Sequence, residues 1–183
     1  MKSIAVYCGA SDGARPIYAK AARALARSLV EHNIALVYGG GRVGLMGVIA
    51  DEVLRLGGEA TGVIPRALVE REVGHAGLTR LFVVKDMHER KAMMADLSEG
   101  FIAMAGGMGT LEELFEMLTW AQLGIHAKPI GLLNTDGFYD RLVGFVRHQQ
   151  DEGFVRPAHA GLMNVDADAA ALVKRLREAA GIR

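Results

Sequence analysis

Apolar residues along the 183-residue chain follow two alternating rhythms. Short, near-continuous runs occur at SIAVY (3–7), IALVY (34–38), EATGVI (59–64), RLFVV (80–84), FIAM (101–104) and PIGLL (129–133). Between and after them, apolar residues recur at helical spacing over 17–31, 43–56, 87–97, 110–123, 138–152 and 167–179. Uninterrupted apolar strands suit a parallel sheet covered on both faces, and the intervening helices supply right-handed crossovers. The pattern predicts a doubly wound α/β fold: a mostly parallel, Rossmann-like sheet with helices on both faces. No internal repeat, low-complexity tract or linker breaks the rhythm, so residues 1–183 are expected to form a single domain.

In such a sheet, ligands bind beyond the carboxyl ends of the strands. Three of those ends run into permissive turns: Cys8-Gly9-Ala10-Ser11, Gly39-Gly40-Gly41 and Gly106-Gly107-Met108-Gly109-Thr110. Glycines let a ligand approach the backbone closely, and the helix that follows offers unpaired N–H groups and a positive dipole end. One such loop would be a tight turn; three in one chain predict a phosphate site. GGGRVG (39–44) fits G-x-G-x-x-G, but it follows the second strand and no clear acidic ribose ligand stands about 20 residues on. A Walker A sequence is absent, which disfavours P-loop hydrolysis and leaves a phosphate-bearing mononucleotide.

Composition narrows the partners. With 51% hydrophobic and 23% charged residues the chain reads as a soluble globular protein. Lys plus Arg and Asp plus Glu both number 21, so no general excess of basic charge advertises nucleic acid or an anionic membrane. No apolar run reaches the length of a membrane span or a signal-peptide core, and the expected location is cytoplasmic. Cys8 is the single cysteine and lies on an apolar strand, as a small buried hydrophobe does. The six histidines are scattered, and no Asp-rich or His/Cys spacing suggests a metal. No lysine stands in a context that argues for pyridoxal phosphate, so no cofactor is expected.

The third loop continues as TLEELFE. Thr110-Leu111-Glu112-Glu113 matches S/T-x-x-E, which predicts a capping box with Thr110 as N-cap. At about 100° per residue, Leu111, Leu114, Phe115 and Leu118 form the expected core stripe. Glu113, Glu116, Met117 and Trp120 then face away. A Trp and a Met on an outer face mark a surface covered by ligand or by another subunit, so a homodimer is expected, with Met117 and Trp120 in its seam and the site nearby. Upstream, MHERKAMM places Arg90 and Lys91 at the start of a helix, where cations oppose the dipole unless an anion joins them; His88 reads as a helix-start residue.

MHERKAMM followed by FIAMAGGMGTLEELFEMLTWAQLGIHAKPIGLLN closely resembles the Lonely Guy (LOG) family of cytokinin riboside 5'-monophosphate phosphoribohydrolases, long mislabelled lysine decarboxylases. The likeness runs from YCGAS through VYGGGRVGLMG to GFVRP. The family's R-K pair falls on Arg90-Lys91, and its P-G-G-x-G-T-x-x-E motif runs from Ala105 to Glu113, with Ala105 where the family has proline. The resemblance implies a Rossmann-like fold and hydrolysis of the N-glycosidic bond of a nucleoside 5'-monophosphate. It implies Glu113 and Arg90 as catalytic residues. Substrate contacts are implied for Ser11, Gly40, Lys91, Gly106, Gly107, Met108, Gly109, Thr110, Leu111 and Glu112, and on resemblance alone for Glu72 and Thr119. A nucleotide or molybdenum-cofactor carrier on the same fold is the alternative.

Overall fold

The computed structural model describes residues 1–72 and 74–181, without the side chains of residues 70–72 and 160. The elements are β1 (Ser3–Tyr7), α1 (Ile17–Glu31), β2 (Ala35–Tyr38), α2 (Gly44–Arg55), β3 (Ala60–Pro65), α3 (Arg66–Glu72), β4 (Arg80–Val84) and α4 (Met87–Asp96). They continue as β5 (Phe101–Ala103), α5 (Met108–Gln122), β6 (Ile130–Leu133), α6 (Asp140–Asp151), α7 (Pro157–Ala160), β7 (Met163–Asp166) and α8 (Ala169–Ala179). The strands form one sheet in the order β4-β3-β2-β1-β5-β6-β7, and every pairing between them is parallel.

Strand parity divides the core into two layers. Ile4 and Val6 of β1, with Cys8 just beyond it, face one side with Leu36, Tyr38 and Ile102, under α1, α2 and α8. Ala5 and Tyr7 face the other with Val37, Phe101, Ala103 and Leu132, against Met94 of α4 and Leu114 and Met117 of α5. Burial on both faces explains why the strands read as unbroken apolar runs. Connections step outward from β1 to β4, return across the sheet to β5, and then step outward the other way. The reversal leaves a crevice beyond the carboxyl ends of β1 and β5.

The sequence pattern missed three elements. α7 is a single turn, and β7 is a half-buried strand of four residues in which only Met163 and Val165 are apolar, too little for a period to show. The third, α3, follows directly on β3 within RALVERE, where no apolar repeat is long enough to register.

Helix α5 corrects two expectations. It begins at Met108 with Gly107 as N-cap and no side-chain cap hydrogen bond, so Thr110 lies inside the first turn and the capping box does not form there. A side-chain cap forms instead on α4: Asp86 accepts from the amides of His88 and Glu89, and Glu89 Oε2 accepts from the amide of Lys85, just before the cap, at 2.6 Å. The buried stripe of α5 is Thr110, Glu113, Leu114 and Met117, about 100°, or one residue, away from the expected one. Met117 is 0% exposed in the core and presents no outer face, while Trp120 packs half-buried against the same cluster. Phe115 and Leu123 are exposed instead. Polarity alone points Glu113 outward, whereas its carboxylate is buried at the end of the sheet.

Met117→Ala is expected to cost about 2–5 kcal/mol, as for a buried Met truncated in a core. Urea unfolding measures this, with light scattering to show an unchanged association state. A loss below about 1 kcal/mol would return Met117 to a surface role.

Candidate active site

Three loops meet at the β1/β5 crevice. Gly9 N donates to Ala105 O at 3.1 Å, and Met104 N donates to Tyr7 O at 2.8 Å, which ties the end of β1 to that of β5. A Cβ on Gly106 would lie 2.1 Å from Thr110 Oγ1, and one on Gly44 would lie 2.3 Å from Ser11 N, so the loops nest more closely than side chains permit. Gly107 and Gly109 differ: a Cβ on either would meet open space. Their bareness keeps the α5 N-terminus accessible, where the first-turn amides lack intrahelical acceptors and the dipole is positive.

The resulting cleft has a volume of about 400 Å³. Tyr7, Cys8, Gly9 and Ser11 form one wall, Gly39, Met46, Met87 and Arg90 another, and Gly107, Gly109, Thr110 and Glu113 the α5 side. That size lies within the range of small-molecule sites.

Arg90 is 7% exposed and held by backbone. Its Nε donates to Val63 O at 3.1 Å and its Nη2 to Gly39 O at 3.2 Å. Among the described residues, Nη1 meets the weak thioether acceptor of Met87 at 3.6 Å, leaving donor capacity at the cleft. Gly39 must be glycine for this: a Cβ there would lie 1.9 Å from Arg90 Nη2.

Glu113 is likewise 7% exposed, one helical turn inside α5. Its carboxylate is felt by its neighbours. Burial pushes the pKa of Tyr7 and of Cys8 well above its ordinary value, and the Glu113 charge raises both further. Cys8 therefore stays a neutral thiol, unsuited to nucleophilic work. The buried Tyr7 hydroxyl has no hydrogen-bond partner among the described residues.

The other expected site residues divide. Ser11, Gly107, Gly109 and Thr110 line the cleft, and Gly106 shapes it. Gly40, at φ +77°, packs on β3, and its neighbour Gly39 takes the cleft position. Met108 is 84% exposed at the α5 start, while Leu111 packs half-buried on the core. Lys91 is buried and paired with Glu112 and Glu116 rather than lining the cleft. Thr119 lines a separate groove between α5 and α6 with Phe115 and Leu118, its hydroxyl donating to Phe115 O at 2.7 Å. Glu72 ends α3, and its side chain lies outside the described residues. Sequence reasoning passed over Tyr7, Met46 and Met87. Met87 stands one helical turn before Arg90, which was a readable signal; Tyr7 required the parity of β1. Among the described residues, no group of three or more His, Cys, Asp or Glu side chains gathers as a metal site, and no helix is long and apolar enough to cross a membrane.

Residues 46–176 match the protein family described as "Possible lysine decarboxylase". The chain is 49% identical over 177 residues to cytokinin riboside 5'-monophosphate phosphoribohydrolase LOG7 of Arabidopsis thaliana, across 97% of this chain and 82% of that protein. It is 48% identical to the probable cytokinin riboside 5'-monophosphate phosphoribohydrolase LOGL9 of Oryza sativa subsp. japonica, across 97% of this chain and 78% of the relative. Among solved structures, the Moco carrier protein from Chlamydomonas reinhardtii aligns with a TM-score of 0.73 at 21% identity, covering 98% of this chain and 97% of that one, a likeness of fold alone. Identity near one half over almost the full length settles the kinship: the chain belongs to the Lonely Guy (LOG) family of cytokinin riboside 5'-monophosphate phosphoribohydrolases.

Proposed function

We propose that the protein hydrolyses the N-glycosidic bond of an adenosine-type nucleoside 5'-monophosphate, a cytokinin riboside 5'-monophosphate above all, releasing free base and ribose 5-phosphate. One observation carries this reading: a buried carboxylate, a buried guanidinium and an open helix N-terminus converge on one cleft. The 5'-phosphate sits on the amides of Gly107 to Thr110 beside Ser11. As the C–N bond lengthens, positive charge develops on the sugar. Glu113 stabilises that charge and orients the water whose oxygen bonds to the anomeric carbon. Arg90 holds the ribose hydroxyls or supports the departing base, which takes up a proton as it leaves.

The carrier alternative is weaker on charge. A protein that only holds an anionic ligand gains nothing from a buried carboxylate in the same cleft, whereas a carboxylate beside a developing oxocarbenium ion lowers the barrier. Nor does the site suit a lysine decarboxylase: pyridoxal phosphate needs a lysine free to bond it, and Lys91 of the R-K pair is engaged by two carboxylates.

The working unit in this reading is a cytoplasmic homodimer, the cytoplasm being where nucleoside monophosphates are found. Phe115 is 38% and Leu123 67% exposed. With Thr119 between them they form one stripe of α5, apolar surface that a two-fold copy would cover. Thr119 lies outside its own subunit's cleft, so the nucleotide contact implied for it would be made across the seam.

Two experiments test this. Glu113→Gln is expected to lower base release from AMP at least about 1,000-fold while AMP binding stays within about threefold, because only the transition state loses its charge partner. In the same assay, wild-type protein should release base from adenosine far more slowly than from AMP. Turnover that survives in Glu113→Gln would remove the catalytic role. The double substitution Phe115→Glu with Leu123→Glu should yield a folded monomer with reduced activity by sedimentation equilibrium; a dimer that persists places the seam elsewhere.

A further inference from the structure

Lys91 follows Arg90 on α4, yet its side chain leaves the cleft. It is 5% exposed, donates to the Glu112 carboxylate, and lies 3.1 Å from Glu116 Oε2. Both acceptors belong to α5, and Glu112 directly precedes Glu113. One ionic contact therefore joins the two helices at the immediate neighbours of Arg90 and Glu113.

We propose that Lys91 is a positioning residue that clamps α4 to α5, fixing the separation of Arg90 and Glu113 without touching the nucleotide. The inference rests on the catalytic roles proposed above for those two residues. Three features favour the clamp over direct contact. First, Lys91 does not line the cleft. Second, a phosphate or hydroxyl would have to draw a buried ammonium away from two carboxylates. Burial opposes the Lys91 charge, yet the hydrogen bonds to Glu112 and Glu116 outweigh it and hold the ammonium above its ordinary range. Third, the need for a clamp is specific to this wall of the cleft. Arg90 is fixed to β2 and β3 through Gly39 O and Val63 O, whereas Glu113 rides on α5, which begins with no side-chain cap. Lys91 ties the two helices at the residues directly beside both groups, and a misplacement of about 1 Å between reacting groups is enough to cost about 100-fold in rate.

The test uses the full chain as wild type, Lys91→Met, Lys91→Arg, and the double variant Glu112→Gln with Glu116→Gln. Three quantities are read: kcat for AMP, the calorimetric Kd for AMP, and the 13C NMR resonance of the Glu113 carboxylate. The clamp predicts that Lys91→Met lowers kcat at least about 10-fold, leaves Kd within about twofold and shifts the Glu113 carboxylate resonance. Lys91→Arg should retain kcat within about threefold. The glutamine pair should reproduce the loss. Adding Lys91→Met to that pair should then cost less than about twofold more, because both changes break one contact. Weakened AMP binding in Lys91→Met with an unmoved Glu113 resonance would make Lys91 a ligand and overturn the clamp, as would full kcat. If wild-type protein released no base from AMP while the resonance still answered to Lys91→Met, the clamp would stand and the proposed reaction would fall.

Discussion

The cleft depends on how a buried guanidinium is held. Arg90 brings a full charge to the ends of β2 and β3, and removing such a group from water is costly unless its donors are satisfied. Two carbonyls, Val63 O and Gly39 O, do this from adjacent strands. The consequences spread outward. Gly39 can carry no side chain, since Arg90 Nη2 occupies the place of its Cβ. Helix α4 must start where it does, and Asp86 fixes that start by accepting from two first-turn amides, a role that holds its carboxyl below the usual range. Once these are set, the remaining donor capacity of Arg90 faces the cleft.

Against that fixed cation the opposite wall places a carboxylate and a positive helix end. The α5 N-terminus would receive a phosphate on backbone amides alone, with no lysine or arginine needed for the anion. Glu113 lies one turn further in, near enough to the buried Tyr7 and Cys8 to disfavour a second negative charge on either. The charges thus alternate along the proposed substrate: positive at the phosphate, negative at the sugar where cationic character develops, positive again near Arg90. Such an arrangement suits the transition state better than the ground state, which is the requirement for catalysis.

Much of this was legible in the chain because strands buried on both faces leave long apolar runs and because glycine loops follow them directly. The parallel sheet and the β1 and β5 loops could be read from local patterns, while Arg90 and Glu113 were singled out as catalytic by the family resemblance. What escaped reading was rotational phase and pairing. The phase of α5 turned on whether Glu113 faced water or the sheet edge, and a rule that polar means outward gave the wrong side, moving Met117 out of the core. Lys91 carried the same charge as Arg90 and the same place in a motif, but its partners, Glu112 and Glu116, lie 21 and 25 positions away on another helix. No local signal joins them. Tyr7 needed the parity of β1 to be placed, and Gly39 was indistinguishable from Gly40 until one of them met Arg90.

The central claim is that one nucleotide spans this cleft with its phosphate on α5 and its glycosidic bond at Glu113. A crystal structure of the Glu113→Gln protein with AMP bound tests it most directly. The account predicts phosphate oxygens within hydrogen-bond distance of the amides of Gly107 to Thr110, and the anomeric carbon facing the side chain at position 113 at about 3–4 Å. A nucleotide whose phosphate lies away from the α5 N-terminus, or whose glycosidic bond points away from position 113, would contradict it.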